Sequence, residues 1–261
     1  DANTTGASNT AVGYQALTEN TTGTPNDAFG YSALEKNTTG NYNTGIGTKA
    51  LEENISGNYN VAVGGHALDD NTTASNNTAV GYNSLTANTT GTGSVAIGYN
   101  ALDANTITTG SFNTAIGPNT LRGTAVTGSQ NIALGLQALN VITSGGNNVS
   151  IGNYSSHKLT GGASNVALGY AALNSTTSAD NNVAIGRDAL LANTTAANNV
   201  AVGALALDAN TTAAGNTAVG YNSLSAVQTN TGLTAVGYRA LAVSNGGNNN
   251  TAVGYNAGFS M

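Results

Sequence analysis

Two histidines, His66 and His157, are the only side chains of the sequence suited to act as bases at neutral pH. Neither lies beside a nucleophile and an acid within the repeat described below, and no histidine pair has the spacing of metal ligands. The sequence has no cysteine, which removes thiolate metal sites and disulfides. We therefore expect no catalytic residue, no metal site and no cofactor.

Carboxylates are concentrated near the start of the chain, where eight of the twelve acidic residues precede residue 71. Several recur at a spacing of 17 residues, as Glu35, Glu52 and Asp69 do. Carboxylates stacked closely repel one another and could bind a cation, but this spacing matches neither an EF-hand nor a Gly-Gly-x-Gly-x-Asp calcium repeat. A solvated acidic edge, partly neutralised by Lys36, is the simpler interpretation. Paired carboxylates on a stacked repeat leave a polysaccharide-active enzyme as the least favoured alternative.

Asn-Thr-Thr triplets also recur, and they match the acceptor pattern for N-glycosylation. Such matches are expected by chance in a chain rich in Asn and Thr, so a turn with stacked hydroxyls and amides is the default interpretation. The triplets begin at Asn20, Asn37, Asn71, Asn88, Asn193 and Asn210.

A glycine-centred motif sets the frame for all these residues. The stretch Asn-Thr-Ala-Val-Gly-Tyr-Gln-Ala-Leu occupies residues 9–17, and variants of it follow every 17 residues, with spacings of 19 before Gly117 and 18 before Gly135. A regular period of this kind is the signature of a repeat architecture. The central glycines are Gly13, Gly30, Gly47, Gly64, Gly81, Gly98, Gly117, Gly135, Gly152, Gly169, Gly186, Gly203, Gly220, Gly237 and Gly254.

Positions are counted from this glycine, which is position 0. Position −4 is Asn except at Ser94 and Leu233, −2 is Ala except at Gly45 and Ser150, −1 is always apolar, and +4 is Leu except at Ser156 and Gly258. A 17-residue unit is too short for a helical hairpin repeat, and its motif is β-branched and glycine-punctuated. The sequence therefore predicts an all-β parallel β-solenoid of about fifteen coils, one per repeat.

Within each coil we expect a strand from −4 to −1, a turn at the glycine and a second strand near +3. Val or Ile at −1 and Leu at +4, represented by Val80 and Leu85, are expected to form two inward ladders. The Asn column is expected to form an amide ladder along the axis, and the glycine column to meet a backbone requirement. These structural columns are represented by Asn9, Asn77 and Asn216, and by Gly13, Gly81 and Gly220.

The alanine column at −2 is assigned to the opposite face, where small apolar residues suggest a subunit interface. Ala11, Ala79 and Ala218 represent this candidate interface. Close packing inside one chain is the alternative explanation for the column.

Two sets of residues are candidates for surface binding. Tyrosines at +1 recur in neighbouring coils, as Tyr221, Tyr238 and Tyr255 do, and they form either a sugar-stacking platform or, as we favour, a structural aromatic ladder. The repeat is irregular over about residues 103–160, and the coil at Gly152 reads Tyr154, Ser155, Ser156, His157 and Lys158 where the others carry the consensus. Tyr154, His157 and Lys158 are therefore candidates, because binding residues often occupy departures from a repeat. A decayed, tolerated coil is the alternative.

The composition limits the partners. Charged residues make up 7% of the chain and the net charge is −6 with six Lys and Arg in total, which argues against nucleic-acid binding. No run of about 18 apolar residues predicts insertion into a membrane. No composition shift marks a linker, so residues 1–261 are expected to form a single elongated domain. Fifteen coils at a spacing of about 4.7–4.8 Å would make a rod of roughly 70 Å.

The run Asn-x-Ala-(Val/Ile)-Gly-x-x-Ala resembles the head repeats of trimeric autotransporter adhesins. It is also similar to the repeats that precede the endosialidase-type chaperone domain of tail-fibre-like proteins. The resemblance covers essentially the whole chain and implies a β-roll or β-prism, often trimeric, on an extracellular fibre. The repeat differs in length from the adhesin repeat, which is usually nearer 14 residues.

The expected function is that of a structural or adhesive extracellular fibre module, at a cell surface or on a virion fibre. The expected partner is the chain itself, as a homo-oligomer or an end-to-end filament, and a glycan or abiotic surface is a further possibility. An ice-binding solenoid is the alternative function, although adjacent threonines such as Thr21 and Thr22 point to opposite sides of an extended chain and count against it.

Overall fold

The computed structural model describes residues 4–104, 108–243 and 247–259. The fold is an all-β parallel β-solenoid with one short strand per repeat, which confirms the predicted class. The strand covers positions −3 to −1 of each coil, so the Asn at −4 lies just outside it. None of the described residues forms a helix, and so no described segment could cross a bilayer as one.

The chain divides into two compact units, Asp1–Gln130 and Asn131–Met261. In the first unit, neighbouring strands pair in parallel with identical repeat positions side by side, as Ala79 pairs with Ala96. A shift by one whole repeat therefore leaves every side chain on its own face. The strands of this unit are β1 Thr10–Val12, β2 Asp27–Phe29, β3 Thr44–Ile46, β4 Val61–Val63, β5 Thr78–Val80, β6 Val95–Ile97 and β7 Thr114–Ile116.

The second unit repeats the same pairing, and Ala201 pairs with Ala218 at the same repeat position. Its strands are β8 Ile132–Leu134, β9 Val149–Ile151, β10 Val166–Leu168, β11 Val183–Ile185, β12 Val200–Val202, β13 Thr217–Val219, β14 Thr234–Val236 and β15 Thr251–Val253.

The remainder of each coil is held by hydrogen bonds to its neighbours without forming the predicted second strand. In the coil of Gly81, the residues at +2 and +4 are left-handed, with φ of 53° at Asn83 and 54° at Leu85. The backbone N–H groups at these two positions point in opposite directions along the axis. Asn83 donates its N–H to Gly65 of the preceding coil at 3.0 Å, whereas Leu85 donates to Ala101 of the following coil at 2.9 Å. These inter-coil bonds offset the steric cost of left-handed non-glycine residues, about 1–2 kcal/mol each.

The core contains the Leu ladder, as predicted, but its facing wall is the alanine column. Leu85 and Ala79 are fully buried, whereas Val80 lies on the outer face and is only half-buried. The predicted inward ladder at −1 is therefore wrong. The interior is too narrow for Val at −2, because a Cβ placed on Gly45 at this position would already lie 3.3 Å from the Leu34 side chain and 3.0 Å from the Ala50 carbonyl oxygen.

The glycine column meets a backbone requirement, as predicted. Gly13, Gly81 and Gly220 have φ of 137°, 130° and 133°. A Cβ on Gly81 would also lie 2.6 Å from the carbonyl oxygen of Gly98 in the next coil. Both the dihedral angle and the approach of the next coil exclude a side chain.

The Asn column forms a buried ladder, as predicted. Its side-chain amides hydrogen-bond backbone groups of the same coil and of the next. The Asn77 Oδ1 atom accepts the N–H of Ser94 in the next coil at 2.8 Å, and its Nδ2 donates across the coil to the carbonyl of Gly91 at 2.9 Å. Asn9 and Asn216 make the same two kinds of bond, with Asn26 and Gly23 and with Leu233 and Asn230. Each amide thus joins two coils and braces its own.

Candidate interaction surface

The outward residues of the strands, at −3 and −1, form a continuous exposed surface on each unit, here called the strand face. Every one of these positions in β1–β7 and β8–β15 is exposed or half-buried. Position −1 is always Val, Ile, Leu or Phe, and Ile97 still exposes 38% of its surface. The strand face is therefore an apolar surface with only scattered hydroxyls and one carboxylate, Asp27.

Two exposed columns, called the rim columns, border the strand face. The residues at −5 precede the buried Asn, and those at +1 follow the glycine. Tyrosines in these columns stack on the equivalent tyrosine of the next coil. In the first unit Tyr14 stacks on Tyr31 with ring centroids 5.4 Å apart, and Tyr42 stacks on Tyr59 at 5.0 Å.

The second unit continues the pattern at +1. The Tyr221 and Tyr238 rings are 5.4 Å apart and those of Tyr238 and Tyr255 are 5.0 Å apart, with interplanar angles of 16° and 8°. The predicted aromatic ladder is thus confirmed. Because the rings cover each other's faces, a sugar ring would find a free face only at the two ends of this stack.

The alanine column cannot serve as the predicted subunit interface. Ala79 and Ala218 have no exposed surface because they face the Leu ladder of their own unit. Ala11, in β1, is exposed, but the other alanines of the column show that the position points into the coil. The surface available to a partner lies on the opposite side of the strand, at −3 and −1. The sequence itself indicates the inward side of the strand. Among positions −4 to −1, the columns at −4 and −2 are the most restricted, and they must share one side of an extended chain.

The structure brings together two of the three candidates at the Gly152 coil. The Tyr154 ring meets His157 edge-on at 5.8 Å and Tyr170 of the next coil at 5.9 Å, and His157 Nδ1 lies 3.3 Å from the Gln137 carbonyl oxygen. Lys158 is exposed beside them.

The same coil keeps its fold by polar substitution. The Ser150 and Ser155 hydroxyls, which replace two core alanines, form a buried hydrogen bond of 2.6 Å. This compensation favours a tolerated departure from the repeat as the explanation of the coil.

Part of the acidic edge in the first unit is paired with basic side chains. Lys49 bonds Glu52 at 2.9 Å and the His66 ring bonds Asp69 at 2.7 Å. Burial of the Asp69 carboxyl, reinforced by the neighbouring Glu52, raises its pKa to about 6 despite the hydrogen bond to His66. No group of three or more His, Cys, Asp or Glu side chains arranged to hold a metal occurs among the described residues.

The asparagines of the Asn-Thr-Thr triplets form a second buried ladder, which confirms the stacked amides expected of these turns. The Asn37 Nδ2 atom donates to Asn20 Oδ1 at 2.8 Å and to the Gly40 carbonyl at 3.1 Å, and both asparagines are buried. A glycan on such a nitrogen would displace these bonds, so the folded coil does not accept glycosylation there. The first threonine is also engaged, since Thr21 Oγ1 donates to the Thr38 carbonyl at 2.8 Å.

In comparison with known proteins, the chain matches no protein-family model, no curated protein and no solved structure.

Proposed function

We propose that this chain is a structural module that associates with copies of itself through the strand face, as part of an extracellular fibre. The observation that carries the proposal is the exposed apolar column at −1, which is present in every coil of both units. Monomeric soluble proteins rarely leave a contiguous apolar patch larger than a few hundred Å² in water.

The size of the strand face supports a stable association. The side chains at −3 and −1 expose roughly 100 Å² per coil, so the seven coils of the first unit alone present roughly 700 Å², close to the ~800 Å² per partner of a standard interface. Its residues are mostly β-branched and stiff, so little side-chain entropy is lost when they are covered. A charged or flexible ligand would find few groups there to pair with.

The extracellular setting rests on the resemblance to adhesin-head and tail-fibre repeats, and the composition fits it. A rigid solenoid braced by buried amide ladders needs neither disulfides nor a cofactor to hold its shape. Such a module suits a load-bearing or spacing role in a fibre at a cell surface or on a virion.

Ile97→Lys tests the proposal with a matched control. Lysine on the strand face would bury an unpaired charge on association, so we expect the mass measured by sedimentation equilibrium to fall to that of the single chain. Ile55→Lys places the same charge away from the strand face, at an isoleucine that is 46% exposed against 38% for Ile97. That variant should associate as the wild type does. A wild-type chain that stays monomeric from micromolar to millimolar concentration would overturn the proposal.

The alternative functions have less support from the geometry. For ice binding, the hydroxyl of the first threonine of the triplets already donates to the backbone of the next coil, as Thr21 does, which leaves the exposed second threonine alone. Absence of thermal hysteresis in a concentrated solution would remove this alternative. For a polysaccharide-active enzyme, the paired acidic residues are engaged by Lys49 and His66. Release of reducing ends from a panel of polysaccharides would support the enzyme alternative.

A further inference from the structure

The rim columns of the first unit follow a rule that the repeat itself does not require. Each of its seven coils carries one exposed aromatic residue in the two rim columns, never two and never none. In four coils the aromatic residue is at +1, and in three it is at −5, in the order two, two, two, one along the chain. They are Tyr14 and Tyr31 at +1, Tyr42 and Tyr59 at −5, Tyr82 and Tyr99 at +1, and Phe112 at −5.

Contacts within the chain do not explain this rule. The two rim columns are separated by the strand, six residues along the chain, or roughly 15–20 Å at the rise of an extended backbone. The aromatic rings of the first unit's rim columns stack within their own column and not across the strand, as Tyr82 stacks on Tyr99 at 6.0 Å. One small rim residue does have an internal reason, because the Phe112 ring lies over Gly93. The Tyr82 ring also lies beside Gly65, but a Cβ there would meet it at 3.4 Å, an ordinary contact that leaves room for a small side chain.

We propose that copies of this chain associate side by side, parallel and in register, so that the −5 column of one copy meets the +1 column of the next at the same coil. The inference rests on the self-association proposed above and specifies its geometry. An axis parallel to the solenoid axis turns the strand faces toward each other and places these two rim columns in contact. Tyr42 then meets Thr48 of the other copy, and Tyr59 meets Gly65.

The match holds at every coil of the first unit, because each exposed aromatic side chain faces a residue no larger than Asn76. One ring per contact fills the groove at the rim without overpacking it. The second unit does not keep one aromatic per coil, since four of its eight coils have none in the rim columns. Its rim tyrosines, Tyr170, Tyr221, Tyr238 and Tyr255, are all at +1 opposite small or polar residues at −5, so no contact there would pair two aromatic residues.

Other registers lose the match. A slip by one coil sets Tyr59 against Tyr82 or Tyr42 against Tyr31, according to its direction. An antiparallel arrangement centred on the same unit sets Tyr59 against Tyr59 and Gly65 against Gly65, a clash and a void. The strand face alone, being similar in every coil, would tolerate such slips, so the rim columns supply the register.

Thr48→Tyr tests the rim directly. Within one chain the new ring would continue the Tyr14–Tyr31 stack, so the melting temperature of a dilute, dissociated sample should be kept or raised. Between copies it would meet Tyr42, and we expect self-association to weaken about tenfold or more. Adding Tyr42→Ser to Thr48→Tyr restores one aromatic residue to the coil and should recover the wild-type affinity. Thr48→Ser is the control that should leave the affinity unchanged.

Cysteine cross-linking provides a second reading that does not depend on Thr48→Tyr folding. The chain has no cysteine, so a Pro25→Cys chain mixed with a Tyr31→Cys chain probes a single contact between copies. We expect rapid disulfide formation in this mixture and little when Pro25→Cys is mixed with Tyr82→Cys, three coils or roughly 14 Å away along the axis.

The outcomes separate the two proposals. A monomeric wild type defeats both the self-association and the register. A wild type that associates, while Thr48→Tyr binds as tightly and the two cysteine mixtures cross-link alike, defeats the register alone and leaves the strand face as an unregistered interface.

Discussion

Asn77 and Asn88 hold the same carbonyl oxygen, that of Gly91, with amide nitrogens at 2.9 and 3.0 Å. The two asparagines belong to the two buried ladders, which meet at this carbonyl. The same convergence occurs on Gly40, which accepts from Asn26 and Asn37. A carbonyl buried this deeply must be paired, and the two amides brace the coil shortly before the next strand begins.

The pairing of both asparagines with the Gly91 carbonyl, here called the clamp, predicts a large effect of Asn77→Asp. This variant should destabilise the first unit far more than the chemical similarity of Asn and Asp suggests. A carboxylate cannot donate to Gly91, and it would bury a charge in the core, so we expect a loss of about 3 kcal/mol or more in the free energy of unfolding. Asn76→Asp is the control, since Asn76 is exposed and left-handed, a conformation that Asp tolerates. Urea unfolding monitored by circular dichroism measures both. Equal effects of the two variants would contradict the clamp.

The corrected faces of the strand predict opposite behaviour for neighbouring positions. Leu85→Ala removes a fully buried side chain and should cost about 3 kcal/mol of unfolding free energy. Val80→Thr changes an outward residue for one that the strand face already carries and should shift the stability of the dissociated chain by less than about 0.5 kcal/mol. Thermal melts of dilute samples compare the two. A large loss in Val80→Thr would restore the inward placement of position −1.

How much of this structure the sequence predicted depends on the physical property that each sequence pattern reflects. The period and the pairing of identical positions followed from the repeat, because stacked coils of one length must align residue by residue. The side of the strand did not follow, because apolar residues are usually buried and Val80 is not. The narrow interior accepts Ala79, and the larger apolar residue is displaced outward. The rim rule does not show in position −5 alone, because residues as different as Tyr42 and Gly93 occupy that position.

The central glycines predict a strong dependence on position for a single methyl group. Gly81→Ala would need a φ near 130° and would bring Cβ against Gly98 of the next coil, so we expect a loss of about 3 kcal/mol or more. Gly215 has φ of 71° and open space around its Cα. Gly215→Ala should therefore cost about 1 kcal/mol, the ordinary penalty of a left-handed alanine. Chemical denaturation of both variants gives the comparison, and similar losses would show that the approach of the next coil is not limiting.

The Asp69 carboxyl predicts that the first unit gains stability on mild acidification. Burial, reinforced by the neighbouring Glu52, raises its folded pKa to about 6, above the ordinary aspartate value of 3.8. The folded state therefore binds this proton more tightly than the unfolded chain does. Its ionisation penalises folding above pH 6, and the penalty disappears as the pH falls from 7 toward 4.

Because the carboxyl is only partly buried, solvent screening should limit the gain to about 1 kcal/mol. We expect the urea midpoint of residues 1–261 to rise between pH 7 and pH 5, and Asp69→Asn to remove most of that rise while it raises the midpoint at pH 7. Asp180→Asn, at an exposed carboxyl of the second unit, serves as the control and should leave the pH dependence unchanged. If the midpoint instead falls steadily from pH 7 to pH 5 in the wild type, the His66–Asp69 pair outweighs the burial of the carboxyl and the assignment of the raised pKa is wrong.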